Sequence, residues 1–275
     1  MRLRFWFLLP TRIWLALLLG APLAIVYAYS GLTRGAYGGV SLPWTWENYA
    51  RLFDPLYASI LLQSLLMAAA ATALCLLLGF PLALFLSRAK ERRGLYLFLV
   101  ILPFWTSFLV RTYGWLFLLR DTGLVNTLLQ GLGLIHEPLP LLYNSGAVLL
   151  GLVYGYLPFM ILPLYATLER LDPALLEAAA DLGAKPSAVL LRVVIPLSAP
   201  GIRAGSILVF IPCVGAFLTP DLMGGGKTVM IGNLVQNQFT TARDWPFGSA
   251  VSLALMAIVV LLVVVFLRKG DEDAL

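Results

Sequence analysis

A chain of 275 residues that is 60% hydrophobic and 12% charged, with a mean hydropathy of +0.90, is too apolar for a soluble globule and too long for a single membrane anchor. Its net charge of +5 is less informative than the placement of the basic residues. Cys75 and Cys213 both lie in apolar runs and His136 stands alone, so neither a disulfide framework nor a histidine-based metal site is indicated. No Ser/His/Asp or paired-carboxylate pattern is visible, which argues against a membrane-embedded enzyme.

Six stretches are long and apolar enough to cross a hydrocarbon core of roughly 30 Å. The first, 13–30, follows Arg2, Arg4 and Arg12. Its length, and the weak cleavage chemistry around Ala28, favour a retained span over a signal peptide. An outer loop over 31–58 carries Trp44 and Trp46, and the second span covers 59–86. The third, 95–119, contains Pro103-Phe104-Trp105-Thr106. Counting ~1.5 Å per residue from Gly94 puts Trp105 about halfway across and Arg111 near the outer face. Tryptophan favours interfaces, so Trp105 either packs against a neighbouring helix or offers an aromatic face to a passing cation. The next outer loop, 120–145, has a possible surface helix over Leu124–Leu132, and the fourth span is 146–166.

A polar segment, 169–202, precedes the fifth span. Asp172-Pro173 reads as a helix start, since Asp accepts from orphan N–H groups and Pro suits the first helical position. Good helix formers run to Leu182, and Gly183 suits the left-handed residue that ends a helix. Pro186 starts a second helix, which Pro196 is expected to stop. Ala178 and Ala179 keep the first helix narrow, and Glu177 supplies a charge for a basic partner. The fifth span, 203–222, is irregular, with Pro212, Gly215 and Pro220 ahead of Gly224-Gly225-Gly226. Such backbone is tolerated at membrane depth only where it is buried in protein or lines a water-filled cavity. The same rise places Pro212 near mid-membrane and Asp221 near the outer boundary. Gly226-Lys227-Thr228 looks like the end of a phosphate-binding loop, but the glycine required five residues earlier is Asp221, so ATP binding by this chain is rejected. A third outer loop, 223–247, the sixth span, 248–267, and a tail, 268–275, complete the chain. It thus divides into 1–58, a core of 59–267 and 268–275.

Orientation follows from the basic residues. With the N-terminus inside, thirteen of the nineteen Lys and Arg residues fall in cytoplasmic segments: Arg2, Arg4, Arg12, Arg88, Lys90, Arg92, Arg93, Arg170, Lys185, Arg192, Arg203, Arg268 and Lys269. Five fall in outer loops, and Arg111 lies within a span. Both termini and the 169–202 segment are expected in the cytoplasm.

Glu177-Ala178-Ala179, then Gly183, then Val193-Val194-Ile195-Pro196 resembles the EAA loop of ABC-importer permeases, E-A-A-x3-G-x9-I-x-L-P, with Val193 for the Ile and Ile195 for the Leu. Further stretches resemble permease subunits of bacterial spermidine/putrescine importers of the PotB type: Pro103–Ser107 with Arg111–Gly114, Gly151–Tyr154 with Leu157–Met160, Asp221–Gly225, and Arg243–Gly248. That similarity runs from about Asn48 to Arg268. The resemblance implies an all-α integral membrane protein of the type I importer permease fold, with six transmembrane helices and a cytoplasmic coupling hairpin. It implies an inner-membrane complex with a sister permease, two ATPase subunits that use ATP and Mg, and a periplasmic polyamine-binding protein. In that family Glu177, Ala178, Ala179, Asp181 and Gly183 would dock into the ATPase, and transport would proceed by alternating access without bond chemistry in this chain. Trp105, Phe104, Asp221 and Arg111 are the candidates for a substrate pathway. No cofactor and no nucleic acid is expected on this chain, whose surroundings are lipid and its subunits. Thiamine, ferric-iron and sulfate or molybdate permeases share the EAA loop and are alternatives, as is a passive channel, which would not need a docking loop.

Overall fold

The computed structural model describes residues 2–89 and 91–272, with side chains described from 9 to 89 and 91 to 268. Lys90, one of the basic residues expected in the cytoplasm, therefore lies outside the described residues, as do the side chains of three others, Arg2, Arg4 and Lys269. In chain order the elements are α1 (Arg2–Ser30), β1 (Leu32–Arg34), β2 (Val40–Trp44), α2 (Glu47–Arg51), α3 (Pro55–Arg88), α4 (Arg93–Ile101), a 3-10 turn (Leu102–Trp105), α5 (Phe108–Leu119), α6 (Leu124–Gly131) and α7 (Ser145–Leu168). There follow α8 (Pro173–Asp181), α9 (Pro186–Val189), a π turn (Leu190–Val194), α10 (Ile195–Leu197), α11 (Ala199–Val214), α12 (Leu218–Gly224), α13 (Ile231–Thr240) and α14 (Trp245–Glu272).

Among the described residues four unbroken helices are long and apolar enough to cross a membrane: Leu9–Ser30, Pro55–Arg88, Ser145–Leu168 and Trp245–Arg268. They contain the first, second, fourth and sixth expected spans. The third and fifth depart from expectation. Residues 95–119 do not form one straight helix. The chain bends by 88° between Arg93–Trp105 and the segment that begins at Phe108. Pro103 lacks an N–H, the helix tightens to a 3-10 turn, and Thr106 turns extended at φ −88°, ψ 151°. The Pro103 carbonyl accepts from both Thr106 Oγ1 at 2.7 Å and the Thr106 N–H at 3.4 Å. The constant-rise depth of Arg111 therefore does not carry across this break, whereas Trp105 lies on the same side of it as Gly94. The fifth segment starts earlier than expected, at Ala199, after a 66° bend at Ser198. It ends at Val214, and Asp221 sits on the separate helix α12. Pro196 lies one residue before the end of its helix at Leu197, just ahead of the bend at Ser198. The widened π turn before it gives the ring the room that a regular turn denies, and helical backbone continues to Leu197.

The chain divides into two compact units, Met1–Leu61 with Gly232–Leu275, and Leu62–Ile231. In the first, α1 packs along α14. Residues 31–58 hold a two-stranded antiparallel ribbon that the helical reading did not foresee, pairing Thr33 with Ser41 and Arg34 with Val40. Gly38 and Gly39 turn it at φ +93° and +76°, which only glycine adopts freely. Buried Asn48 on α2 ties the ribbon to α1, donating to the carbonyls of Ser30 and Leu32 at 3.0 and 2.8 Å. Arg34 reaches the Ala242 carbonyl at 2.6 Å. Helices α2 and α13 were also unforeseen, because each is short and hidden in a loop of mixed polarity.

In the second unit α3 buries Ala68, Ala71, Cys75, Gly79 and Ala83 at helical spacing. This stripe of small residues lets α7 come close, and a Cβ on Gly79 would stand 3.2 Å from Met160. Helix α7 also packs along α11, where a Cβ on Gly201 would meet the Pro163 carbonyl at 2.9 Å and one on Gly205 the Met160 sulfur at 2.7 Å. Lipid supplies no hydrophobic drive between helices, so close backbone approach through small residues has to hold them together.

Candidate functional site

Two places in the second unit hold the sequence-derived candidates. The first is the elbow, α8 to α10. Asp172 caps α8, its Oδ1 accepting from the Ala174 N–H at 2.9 Å. Gly183 is left-handed at φ +78°, and its N–H and that of Ala184 return to the Ala180 and Ala179 carbonyls at 2.8 and 3.1 Å. These bonds satisfy carbonyls that the end of a helix leaves open. Helix α8 buries none of its residues. Glu177, Ala178, Asp181 and Gly183 are exposed and Ala179 is half-buried. At the tip Leu182 is 89% exposed. At the base Arg93, at the start of α4, pairs with Glu169, which joins the elbow to the segment that follows α3.

The second place is the break in the third apolar segment. Trp105 sits in the 3-10 turn, exposed, with its ring edge-to-face against Phe98 at 5.6 Å. Phe104 meets Phe159 of α7 edge-to-face at 5.9 Å. Arg111, one turn into α5, holds its guanidinium carbon 4.3 Å from the centre of the Phe104 ring and 5.7 Å from that of Phe108. Asp221 is exposed on α12, and α12 packs against both α5 and α7. The break thus brings Arg111 over Phe104, while Trp105 engages Phe98 instead, and the helix of Asp221 packs against α5. Phe108 and Phe159 were missed as partners of this group. Periodicity could not have found them, since a break changes which residues face each other.

Gly226-Lys227-Thr228 follows the helix α12 rather than a strand, and Lys227 is exposed. Thr228 Oγ1 is engaged with Ser145 Oγ at 3.1 Å. Among the described residues no group of three or more His, Cys, Asp or Glu is placed to hold a metal.

Residues 75–269 match the family described as binding-protein-dependent transport system inner membrane component. The chain belongs to that family. It is 46% identical over 258 residues to the spermidine/putrescine transport system permease protein PotB of Escherichia coli K12, covering 94% of each protein, and equally identical to PotB of Salmonella typhimurium SL1344, of which it covers 90%. Among solved structures it superposes on a bacterial ABC transporter involved in the import of the acidic polysaccharide alginate, with a TM-score of 0.75, 18% identity and coverage of 98% of this chain and 95% of that one. At that identity the likeness speaks for the fold. The chain is therefore a helical inner-membrane permease subunit, and its two bent segments belong to a transporter.

Proposed function

We propose that this chain is the translocation subunit of an ATP-driven importer that moves polyamines, spermidine or putrescine, into the cell by alternating access. The observation that carries the substrate class is identity of 46% across 94% of the chain with the spermidine/putrescine permease. Within that reading the elbow is the docking lever. A helix with no buried residue, a narrow Ala178-Ala179 face and an exposed apolar Leu182 tip is the kind of surface that another subunit covers. Glu177, Ala178, Ala179, Asp181 and Gly183 then meet a partner ATPase, which binds ATP and Mg, while this chain hydrolyses nothing. A sister permease supplies the other half of the path, and a periplasmic binding protein delivers the substrate. Both termini and the elbow lie on the cytoplasmic side, where the excess of Lys and Arg would hold them. Trp105, Phe104, Asp221 and Arg111 face the substrate path, with aromatic faces and a single carboxylate attracting a polycation without trapping it.

A second reading is favoured by identity of 31% over 80% of this chain with the molybdenum transport system permease protein ModB of Mycobacterium bovis. An uptake panel with the reconstituted complex separates the two. ATP-dependent accumulation of radiolabelled spermidine or putrescine, with none of molybdate, supports the proposal, and the reverse pattern overturns it.

A further inference from the structure

The 88° break mounts a cation on a fixed aromatic cradle. Phe104 is held edge-on by Phe159 of α7. The Phe108 ring lies so close to α7 that a Cβ on Gly155 would stand 3.0 Å from it. Both rings are thus braced by a neighbouring helix. The cation above them, Arg111, sits on a flexible stem. Its Nε and Nη1 atoms are buried and have no hydrogen-bond partner, although a guanidinium ordinarily directs five N–H donors at acceptors. The faces of Phe104 and Phe108, at 4.3 and 5.7 Å, provide the attraction that remains, within the ~6 Å reach of such contacts.

We propose that Arg111 is a tethered competitor. It occupies the face of Phe104 that a substrate ammonium takes during passage, and its return to the ring drives that ammonium onward. The inference rests on the polyamine reading and deepens it. An ammonium and a guanidinium are drawn to the same ring quadrupole, so the two exclude each other from one face. The ring stays put while the cations exchange, which gives a polycation a stepping point that does not become a trap. Arg111 therefore sets how tightly the path holds its substrate.

The experiment compares polyamine uptake by the reconstituted complex carrying wild type, Arg111→Gln, Arg111→Lys, Phe104→Leu, and Phe104→Leu combined with Arg111→Gln, at equal membrane levels. Freeing the ring in Arg111→Gln is expected to lower KM about fivefold, the scale of a partly desolvated cation–π contact. Arg111→Lys, which keeps a cation but not the planar guanidinium, lowers KM by less than Arg111→Gln does. In the Phe104→Leu background Arg111→Gln has no further effect. An equal fall in KM in both backgrounds would mean repulsion at a distance rather than competition for the ring, and would overturn the proposal, as would an unchanged or raised KM in Arg111→Gln. If Arg111→Gln fails to insert, Arg111→Met, which keeps the apolar stem, makes the same comparison. A wild-type complex that accumulates no polyamine would instead overturn the substrate reading, and the competition with it.

Discussion

Around Asp244 the chain turns its polar groups on itself, whereas in the elbow it turns them outward. Asp244 is buried, accepts from Arg51 at 2.9 Å, and caps α14 by accepting from the Phe247 N–H at 3.2 Å. The same Arg51 lies 4.0 Å over the Phe247 ring, against which Tyr57 packs at 4.7 Å. Burial works against the charge on Arg51, but hydrogen bonds to Asp244 and Tyr57 and their attraction more than offset it and raise its pKa. Helix α8 has as many charged groups within reach of solvent and buries none of them. Polar groups satisfied inside a chain hold that chain together. Polar and apolar groups left uncovered on a well-capped helix are available to another chain. The comparison can be broken by substitutions that ought to affect stability in one region and association in the other.

The largest effect is expected at the inward-facing knot. Asp244→Ala leaves Arg51 without its carboxylate and α14 without its cap. Removing one partner of a buried pair costs several kcal/mol, and the partial exposure of Arg51 reduces that, so a loss of about 2–3 kcal/mol is expected. Unfolding of the purified subunit in detergent measures it. Arg51→Met keeps the apolar contact with Phe247 but leaves the buried Asp244 carboxylate without its cation, so it is expected to lose a comparable amount, about 2–3 kcal/mol. A change near zero for Asp244→Ala would show that the knot is not what holds this turn.

In the elbow the pattern reverses. Glu177→Lys and Gly183→Asp sit on exposed positions, so unfolding shifts by no more than about 0.5 kcal/mol for the first and about 1 kcal/mol for the second, whose residue must adopt φ > 0. Retention of the ATPase subunit on membranes, and uptake, fall about tenfold, equivalent to 1.4 kcal/mol of docking. Normal retention with both substitutions would sink the docking role.

The two regions were not equally legible in the sequence. The elbow could be read residue by residue, because Asp172-Pro173, the alanines and Gly183 act locally through caps and propensity. The knot could not, since Arg51 and Asp244 are 193 positions apart and nothing local announces their meeting. The four unbroken spans follow from apolar length alone. The breaks at 105–108 and at Ser198 turn on local backbone changes, an extended Thr106 and a widened turn before Pro196, which apolar composition does not encode. Hence residue type points to Trp105 and Arg111, but the bend removes the depth that a constant rise gives Arg111. The ribbon over 31–58 escaped notice because its strands are three and five residues long and its hydrogen bonds run partly to a distant turn.

A smaller effect is expected at Trp105, which faces outward like the elbow but carries an aromatic surface instead of a charge. Trp105→Leu keeps apolar contact with Phe98 and removes the larger π face. A partly exposed cation–π contact is worth about 1 kcal/mol, so uptake at low polyamine concentration falls about fivefold, with Trp105→Phe in between. Thermal stability is unchanged in both. Equal uptake in wild type, Trp105→Leu and Trp105→Phe would make Trp105 a packing residue, on the knot's side of the comparison.

The smallest effect is expected between Arg111 and Asp221, and it decides whether charge in the bent segment is turned inward or left for substrate. Helix α12 packs against α5, so the two residues lie on neighbouring helices. A pair formed between them would resemble the Arg51–Asp244 knot. Yet Asp221 is exposed, where solvent weakens an ion pair to about 0–1 kcal/mol, and the guanidinium of Arg111 is spent on Phe104 and Phe108. A double-mutant cycle on uptake, with Asp221→Asn, Arg111→Gln and both, is therefore expected to give a coupling of no more than about 0.5 kcal/mol. The cycle between Arg111 and Phe104 should give a larger one, because those groups are in contact. A coupling well above ~0.5 kcal/mol for Arg111 and Asp221 would mean that the carboxylate and the guanidinium act as one unit during transport, and would move this segment from the outward-facing class to the inward-facing one.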